Sequence, residues 1–170
     1  MTKKYLILIL IGSSCLSLSA QELYQRSAGT RVGHTSGLTY KKFVEDHKAL
    51  EVMTSGRRGI QVTLTYQHYY PMEFSFNEAF YAYYGLGGHV GLERYDKLDK
   101  VLLSSHPPTF DYEKKSYYTM GIDAIVGIEY RWLSVPMTIS FDVKPYFNYI
   151  GMRYGRAKFW DSALSFKYVF

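Results

Sequence analysis

A histidine and a serine stand two residues apart in His34-Thr35-Ser36. Such a pair could carry out nucleophilic chemistry, because an imidazole within hydrogen-bond reach of a hydroxyl can accept its proton and activate the oxygen. The mechanism also needs an acidic group to orient the imidazole, and the sequence assigns none. Because Thr-Ser-Gly is ordinary turn chemistry, the pattern favours a turn at this position over a catalytic centre.

A glycine-rich segment at 85–91, GLGGHVG, superficially resembles a phosphate-binding loop. It does not match the GxGxxG spacing, because Val90 occupies the place of the third glycine and no helix follows. The glycines are better explained as space for Tyr81, Tyr83 and charged groups on the same face. His89 and Glu93 share that face and could relay a proton, although a buried hydrogen-bonded pair is commoner.

These residues lie in segments whose polarity alternates at every second position, and 117–132 shows the alternation best. Its even positions are apolar and its odd positions are small or polar, with Ile125 as the exception. A period of two predicts a β-strand. Sixteen residues exceed the usual length of a soluble strand, whereas a strand tilted by about 35–45° needs roughly 10 residues to cross hydrocarbon. The segment therefore predicts a transmembrane strand.

The same alternation predicts eight strands separated by turn residues, at 28–34, 38–44, 50–55, 60–70, 79–95, 117–132, 137–149 and 159–170. The first two could instead be one long bent strand, because Ser36-Gly37 can also mark a bulge. Pro145 falls on the apolar phase of the seventh strand and cannot donate to a ladder, which predicts a bulge or bend there. The expected fold is all-β, an eight-stranded antiparallel up-and-down transmembrane β-barrel.

If the apolar phase faces lipid, ionisable side chains meet inside the barrel, where five bases nearly match six acids. Eight strands enclose a space that side chains can fill, which favours mutual neutralisation over a wide pore. The predicted lumen charge network is Arg31, Lys41, Glu51, His89, Glu93, Asp123, Glu129, Arg131, Asp142, Lys144, Asp161 and Lys167. Amphipathic rings favour the lipid–water boundary. They predict interface aromatics at Tyr118, Tyr130, Trp132, Phe147, Tyr149 and Trp160.

Residues 1–20 have a basic start, a short apolar run and small residues leading to Ala20, which predicts a secretory signal peptide. Cleavage after Ala20 is expected, with Ser19 as the alternative, and 21–170 then form one barrel domain. Cys15 lacks the leucine three residues earlier that a lipoprotein site would have. Without the signal the formal charge falls from +5 to +3, because Lys3 and Lys4 leave. This balance does not suggest nucleic acid, and no metal or cofactor is expected.

The signal, the eight alternating strands and the closing ALSFKYVF resemble the small outer-membrane β-barrel family of Gram-negative bacteria, of the OmpA/OmpX type. The resemblance implies that a terminal aromatic residue, preceded by apolar residues at alternate positions, is recognised by the barrel-assembly machinery. Here these are Leu164, Phe166, Tyr168 and Phe170. The resemblance also implies an outer-membrane location and contact with outer-membrane lipid. Members include structural barrels, adhesins and a few lipid-modifying enzymes, so membership selects no activity.

The expected function is therefore a non-enzymatic, monomeric barrel with a structural or surface-interaction role through its outer loops. Basic loop residues could contact lipopolysaccharide phosphates, namely Arg57, Arg58, Arg153, Arg156 and Lys158. One alternative is a narrow, porin-like channel for small solutes. A second is a lipid A acyl-ester hydrolase, because deacylase-type barrels use a His-x-Ser pair like His34 and Ser36. A soluble lipocalin-like carrier would need the opposite polarity, apolar inside.

Overall fold

The computed structural model describes residues 24–56, 59–72, 79–95, 115–132, 134–150 and 154–170. The predicted signal peptide, its predicted cleavage site and Cys15 lie outside these ranges. Within them, no helix is long and apolar enough to cross a membrane. Regular secondary structure in the described ranges consists of strands.

Ten strand segments form one closed antiparallel barrel. They are β1 (Arg26–Gly33), β2 (Gly37–Glu45), β3 (Lys48–Ser55), β4 (Gly59–Pro71), β5 (Phe80–Tyr95), β6 (Lys115–Arg131), β7 (Met137–Val143), β8 (Tyr146–Ile150), β9 (Tyr154–Lys158) and β10 (Ser162–Val169). Both β7 and β8 pair with β6 along one line, and β9 and β10 continue each other in the next. Because β1 pairs with β10, the sheet closes with eight strands around it, as predicted.

Residues 28–44, for which the sequence allowed either one bent strand or two strands, form two strands. Strands β1 and β2 pair antiparallel, from Arg26 opposite Lys42 to Arg31 opposite Gly37. The prediction of a loop over 151–158 is wrong for its second half, since Tyr154–Lys158 is strand β9. The reason is that this short strand is basic and glycine-containing, so it lacks the apolar alternation by which the other strands were recognised.

The predicted irregularity at Pro145 is confirmed as a break between β7 and β8. On one side the ladder continues, because the Pro145 carbonyl accepts from Ala124 N at 2.9 Å. On the other side Lys144 N donates to Asp161 O at 2.9 Å while Tyr146 pairs with Lys158. Two residues, 159 and 160, thus lie opposite one proline, which has no N–H to offer. This bulge reverses the alternation between β10 and β9.

The barrel is apolar outside and polar inside. Along β6, Ile122 and Val126 are 69% and 59% exposed, whereas Asp123 is 3% and Glu129 0% exposed. Ile125, the one large apolar residue on the inward phase, is buried. This arrangement is the reverse of a soluble barrel, in which the apolar phase points inward. Because the ionised side chains are buried inside the closed lumen, each of them needs a partner there.

Small and large residues alternate across β5 and β6 inside the lumen. Gly127 lies opposite Tyr83, and Gly121 lies opposite His89. A Cβ added at Gly127 would be 2.6 Å from Tyr83 Cζ, and one at Gly121 would be 2.5 Å from His89 Cε1. The glycines therefore give space to bulky neighbours, in agreement with their sequence interpretation, and do not form a phosphate loop.

Candidate functional site

Two groups of ionised side chains fill the lumen, and the two ends of the barrel serve to locate them. We call the end that holds Arg26 and Val169 the terminus end, and the end that holds the turn at 34–36 the loop end. Five buried bases and five buried acids are balanced among the described residues. The bases are Arg31, Lys41, Arg131, Lys144 and Lys167; the acids are Glu51, Asp123, Glu129, Asp142 and Asp161.

The group nearer the terminus end is organised around two glutamates. Glu129 accepts from Lys41 Nζ at 2.8 Å and from Arg131 Nε at 3.2 Å. Glu51 accepts from Lys167 Nζ and from Gln67 Nε2, each at 2.6 Å. Thr39 also donates to Glu51, and Lys41 contacts the Tyr69 hydroxyl. Each carboxylate is thereby paired and hydrogen-bonded, as a buried charge requires.

Tyr24, just before β1, closes this group at the terminus end. Its hydroxyl donates to Glu129 Oε1 at 2.6 Å, and the Arg131 guanidinium carbon lies 4.6 Å from its ring centroid. Burial, together with the neighbouring Glu129 carboxylate, raises the pKa of the Tyr24 hydroxyl well above its usual value. Arg131 is also 3.7 Å from the Tyr81 ring centroid, so aromatic rings surround it.

The group nearer the loop end joins three acids. Arg31 binds Asp142 Oδ1 through NH2 at 2.5 Å and the Thr35 hydroxyl through NH1 at 2.6 Å. Thr35 in turn donates to Asp161 Oδ2 at 2.7 Å. A neighbouring cluster has Asp123 between His89 Nδ1 at 2.7 Å and Lys144 Nζ at 3.2 Å. Since His89 Nε2 lies 3.2 Å from Asn148 Oδ1, both ring nitrogens of this histidine are engaged.

Glu93 differs from the other members of the predicted network, because it is half-buried near the loop end while the rest are buried. The structure does not pair it with His89 in a relay and instead brings His89 to Asp123 and Asn148. Sequence reasoning missed the neutral members of the network. These are Tyr24, Thr35, Thr39, Gln67, Tyr69 and Asn148. All except Tyr24 and Thr35 lie on inward strand positions, where phase alone could have identified them.

The structure gives the two residues of the hydrolase hypothesis different partners. The Ser36 hydroxyl lies 3.2 Å from both the N and the O of Gly33, as in a side-chain-stabilised turn. His34 Nε2 contacts Lys158 Nζ on β9. Asp161, an acid of this neighbourhood, accepts a hydrogen bond from the Thr35 hydroxyl. Among the described residues, the contacts of Ser36 therefore stabilise a turn.

A cavity of about 290 Å³ opens at the loop end. We call it the mouth cavity, and its lining comprises His34, Thr35, Ser55, Gly59, Gln61, Glu93, Tyr146, Asn148, Arg156 and Lys158. Gln61 is 7% exposed, and its Nε2 has no hydrogen-bond partner among the described residues. The cavity wall therefore contains an unsatisfied polar group. Burying an amide donor without a partner costs roughly 1–3 kcal/mol of folding free energy.

The remaining predicted residues lie mainly on the outside. Of the interface aromatics, Tyr118, Trp132, Phe147, Tyr149 and Trp160 are exposed, and Tyr130 is half-buried against Phe80. The four residues of the predicted assembly signal, Leu164, Phe166, Tyr168 and Phe170, are exposed. Sequence reasoning did not single out an outer aromatic group near the terminus end, in which Tyr84 stacks on both His68 and Tyr70.

The basic residues assigned to lipopolysaccharide divide into two sets. Arg57, Arg58 and Arg153 lie outside the described residues. Arg156 is exposed and Lys158 is half-buried, and both line the mouth cavity. In the described part of the chain, no group of three or more His, Cys, Asp or Glu side chains is arranged to hold a metal ion.

Comparison of the chain with protein-family models, with curated proteins and with solved structures gave no significant match.

Proposed function

We propose that the protein is a non-enzymatic integral β-barrel of the outer membrane of a Gram-negative bacterium, similar to the OmpA/OmpX type. Its role would be structural or one of surface contact through the loop end. The observation that carries this proposal is the inverted polarity of the closed barrel. In the part of the chain that the structure describes, the lumen holds ten buried charges while the outer face exposes large apolar side chains on the barrel strands. Soluble monomers seldom expose contiguous apolar patches beyond about 300–600 Å².

The height of the apolar outer face suits a bilayer. Tyr118 and Tyr130, near the two ends of the outward face of β6, are separated by twelve residues. At about 3.3 Å per residue this is ~40 Å along the strand, or ~30 Å along the axis at a tilt of about 40°. A transmembrane barrel needs an apolar band about 25 Å tall between its aromatic girdles. The outward face of β6 is thus long enough to cross the hydrocarbon layer of a bilayer.

The filled lumen supports a structural role over conduction. Tyr69, Tyr83, Lys41 and Glu129 are each at most 2% exposed, and they fill the lumen nearer the terminus end. Ions would have to displace paired charges in order to pass, which is costly in a low-dielectric interior. The lengths of the connections favour an orientation with the loop end outward. The turn between β2 and β3 at the terminus end has two residues, whereas nineteen separate β5 from β6 at the loop end.

Thiol labelling in intact cells tests both the location and the orientation. Ser36 at the loop end and Ser134 at the terminus end are both exposed, and Cys15 is the chain's one cysteine. In a Cys15→Ser background, Ser36→Cys is expected to react with a membrane-impermeant maleimide on whole cells. Ser134→Cys is expected to react only after the outer membrane is permeabilised. Recovery of the protein without detergent, or equal labelling at both positions in intact cells, would contradict the proposal.

A further inference from the structure

We propose that the mouth cavity binds a phosphate group, carried either by a small soluble phosphomonoester or by a lipid headgroup. This goes beyond the proposed structural role, because it assigns a ligand to the lumen side of the loop end. The argument starts from the two cations of β9. Arg156 and Lys158 line the cavity, and no ion pair with a carboxylate is found for either among the described residues.

The contrast with the rest of the lumen makes these two cations unusual. Every buried lysine and arginine deeper in the barrel has a carboxylate within 3.8 Å. At the mouth, Lys158 instead contacts His34 Nε2, a nitrogen that is itself able to carry a proton. Among the described residues of the lining, Glu93 is the one acid. With histidine neutral, two positive charges therefore face one negative charge, and the cavity has an excess of cationic groups.

The second observation is independent of charge. Gln61 Nε2 is buried in the cavity wall without a hydrogen-bond partner. Strand register places Gln61 opposite Gly91, and Gly91 opposite Thr119, whose buried hydroxyl also lacks a partner. A water molecule could satisfy a neutral amide but would not neutralise Arg156 and Lys158. An anion with several acceptor oxygens would do both.

The number of donors selects the class of anion. Arg156 offers a planar fork of N–H groups, Lys158 offers an ammonium, and Gln61 offers an amide N–H. A carboxylate has two oxygens to share among these donors, whereas a phosphate monoester has three terminal oxygens. Guanidinium and phosphate also match in bidentate geometry. A cavity of about 290 Å³ is at the small end of ligand sites and suits a headgroup-sized molecule.

Titration of the refolded barrel in neutral-detergent micelles tests the proposal, with inorganic phosphate and glycerol 3-phosphate as probes. Saturable binding is expected. It is measured by the heat of titration in calorimetry and by the change in the NMR chemical shifts of Gln61. Arg156→Gln with Lys158→Gln should weaken it at least ~10-fold, since two charge-assisted contacts are lost. The matched control is Arg94→Gln, which removes an exposed cation at the same end, on the outward phase of β5. It should change affinity less than about twofold, because surface charges contribute little.

Gln61→Leu separates a ligand site from a structural one. Replacing this amide by an apolar side chain removes a buried Nε2 without a partner and loses only the long 3.5 Å bond that Oε1 accepts from Ser55 Oγ, so the unfolding free energy should stay unchanged or rise while phosphate affinity falls. The source of the ligand is determined by repeating the titration in nanodiscs. If lipopolysaccharide competes with glycerol 3-phosphate and phosphatidylcholine does not, the phosphate belongs to a lipid headgroup. If neither competes, the ligand is a soluble phosphomonoester.

Three results would overturn the proposal: no saturable binding, equal competition by sulfate or chloride at matched ionic strength, or an affinity unchanged in the Arg156/Lys158 double variant. The measurement uses purified protein in micelles, so it stands apart from the membrane location. Failure of the thiol-labelling experiment would contradict the proposed function alone, and failure of the phosphate titration would contradict this inference alone.

Discussion

The pair formed by Arg31 and Asp142 offers a quantitative test of whether the lumen charges hold the barrel together. The two residues are 111 positions apart in the chain, and their side chains meet at 2.5 Å with at most 4% exposure. Among the described residues, the other hydrogen bond to Asp142 comes from Tyr83 OH at 3.4 Å. Replacing Arg31 by methionine therefore leaves a buried carboxylate with one long hydrogen bond.

The expected loss for Arg31→Met is ~3–5 kcal/mol of unfolding free energy, since breaking a buried pair strands one charge. Asp142→Leu should cost less, about 2 kcal/mol, because Arg31 keeps Thr35 at 2.6 Å and Asp161 at 3.7 Å. In the double variant no charge of the pair remains. Its stability should return to within about 2 kcal/mol of the parent, giving a coupling energy of at least ~2 kcal/mol.

Urea titration of the folded barrel in lipid vesicles, followed by tryptophan fluorescence, measures these values. Arg26→Met serves as the control, because Arg26 is an exposed arginine at the start of the same strand. It should change stability by less than about 0.5 kcal/mol. If Arg31→Met costs no more than this control, or if the double variant is no more stable than Arg31→Met, the lumen charges do not act as mutually dependent pairs.

Three further predictions address the outer face, the lumen packing and conduction. Val126→Lys, at mid-height on the outward face of β6, should lower the unfolding free energy in lipid vesicles by ~2–4 kcal/mol. Ile60→Lys, near the loop end, should lower it by about 0–1 kcal/mol. Equal losses in urea titrations would argue against a bilayer around this face. Gly127→Val should cost about 1–3 kcal/mol, because an added Cβ meets Phe141 O and the Tyr83 ring, each at 2.6 Å. Gly56→Ala is its control, since the nearest atom there is 3.6 Å away, and a matching loss in both variants would contradict the packing argument. In planar bilayers the protein should give no steady conductance, and reproducible single-channel steps would refute a filled lumen.

Most of the fold could be predicted from the sequence because the side-chain alternation is strong wherever a strand crosses the apolar belt. Ile122 and Val126 outside and Asp123 inside follow from the period of two alone. Strand β9 was missed because its sequence, YGRAK, does not alternate between apolar and polar side chains. Position 155 in it is glycine, packed close to the Phe147 ring.

The partners within the lumen could not be predicted. Phase identifies which residues point inward, but the choice between Asp142 and Asp161 for Arg31 depends on the stagger of strands around the closed barrel. That stagger includes the bulge opposite Pro145, whose presence was predicted but whose effect on the following strand was not. Lys158, expected in a loop, lies instead in β9 and lines the mouth cavity.

The bulge shifts the inward–outward alternation of side chains by one residue between β10 and β9. In β10 the even-numbered residues such as Leu164 point outward, whereas in β9 the even-numbered Arg156 and Lys158 turn inward. If the frame of β10 continued into β9 without the bulge, it would present both cations to the exterior and Ala157 to the interior. Thiol accessibility of Ala157→Cys reports which frame is in use. The bulge opposite Pro145 thus determines which side chains of β9 face the lumen, which the sequence of β9 alone leaves ambiguous.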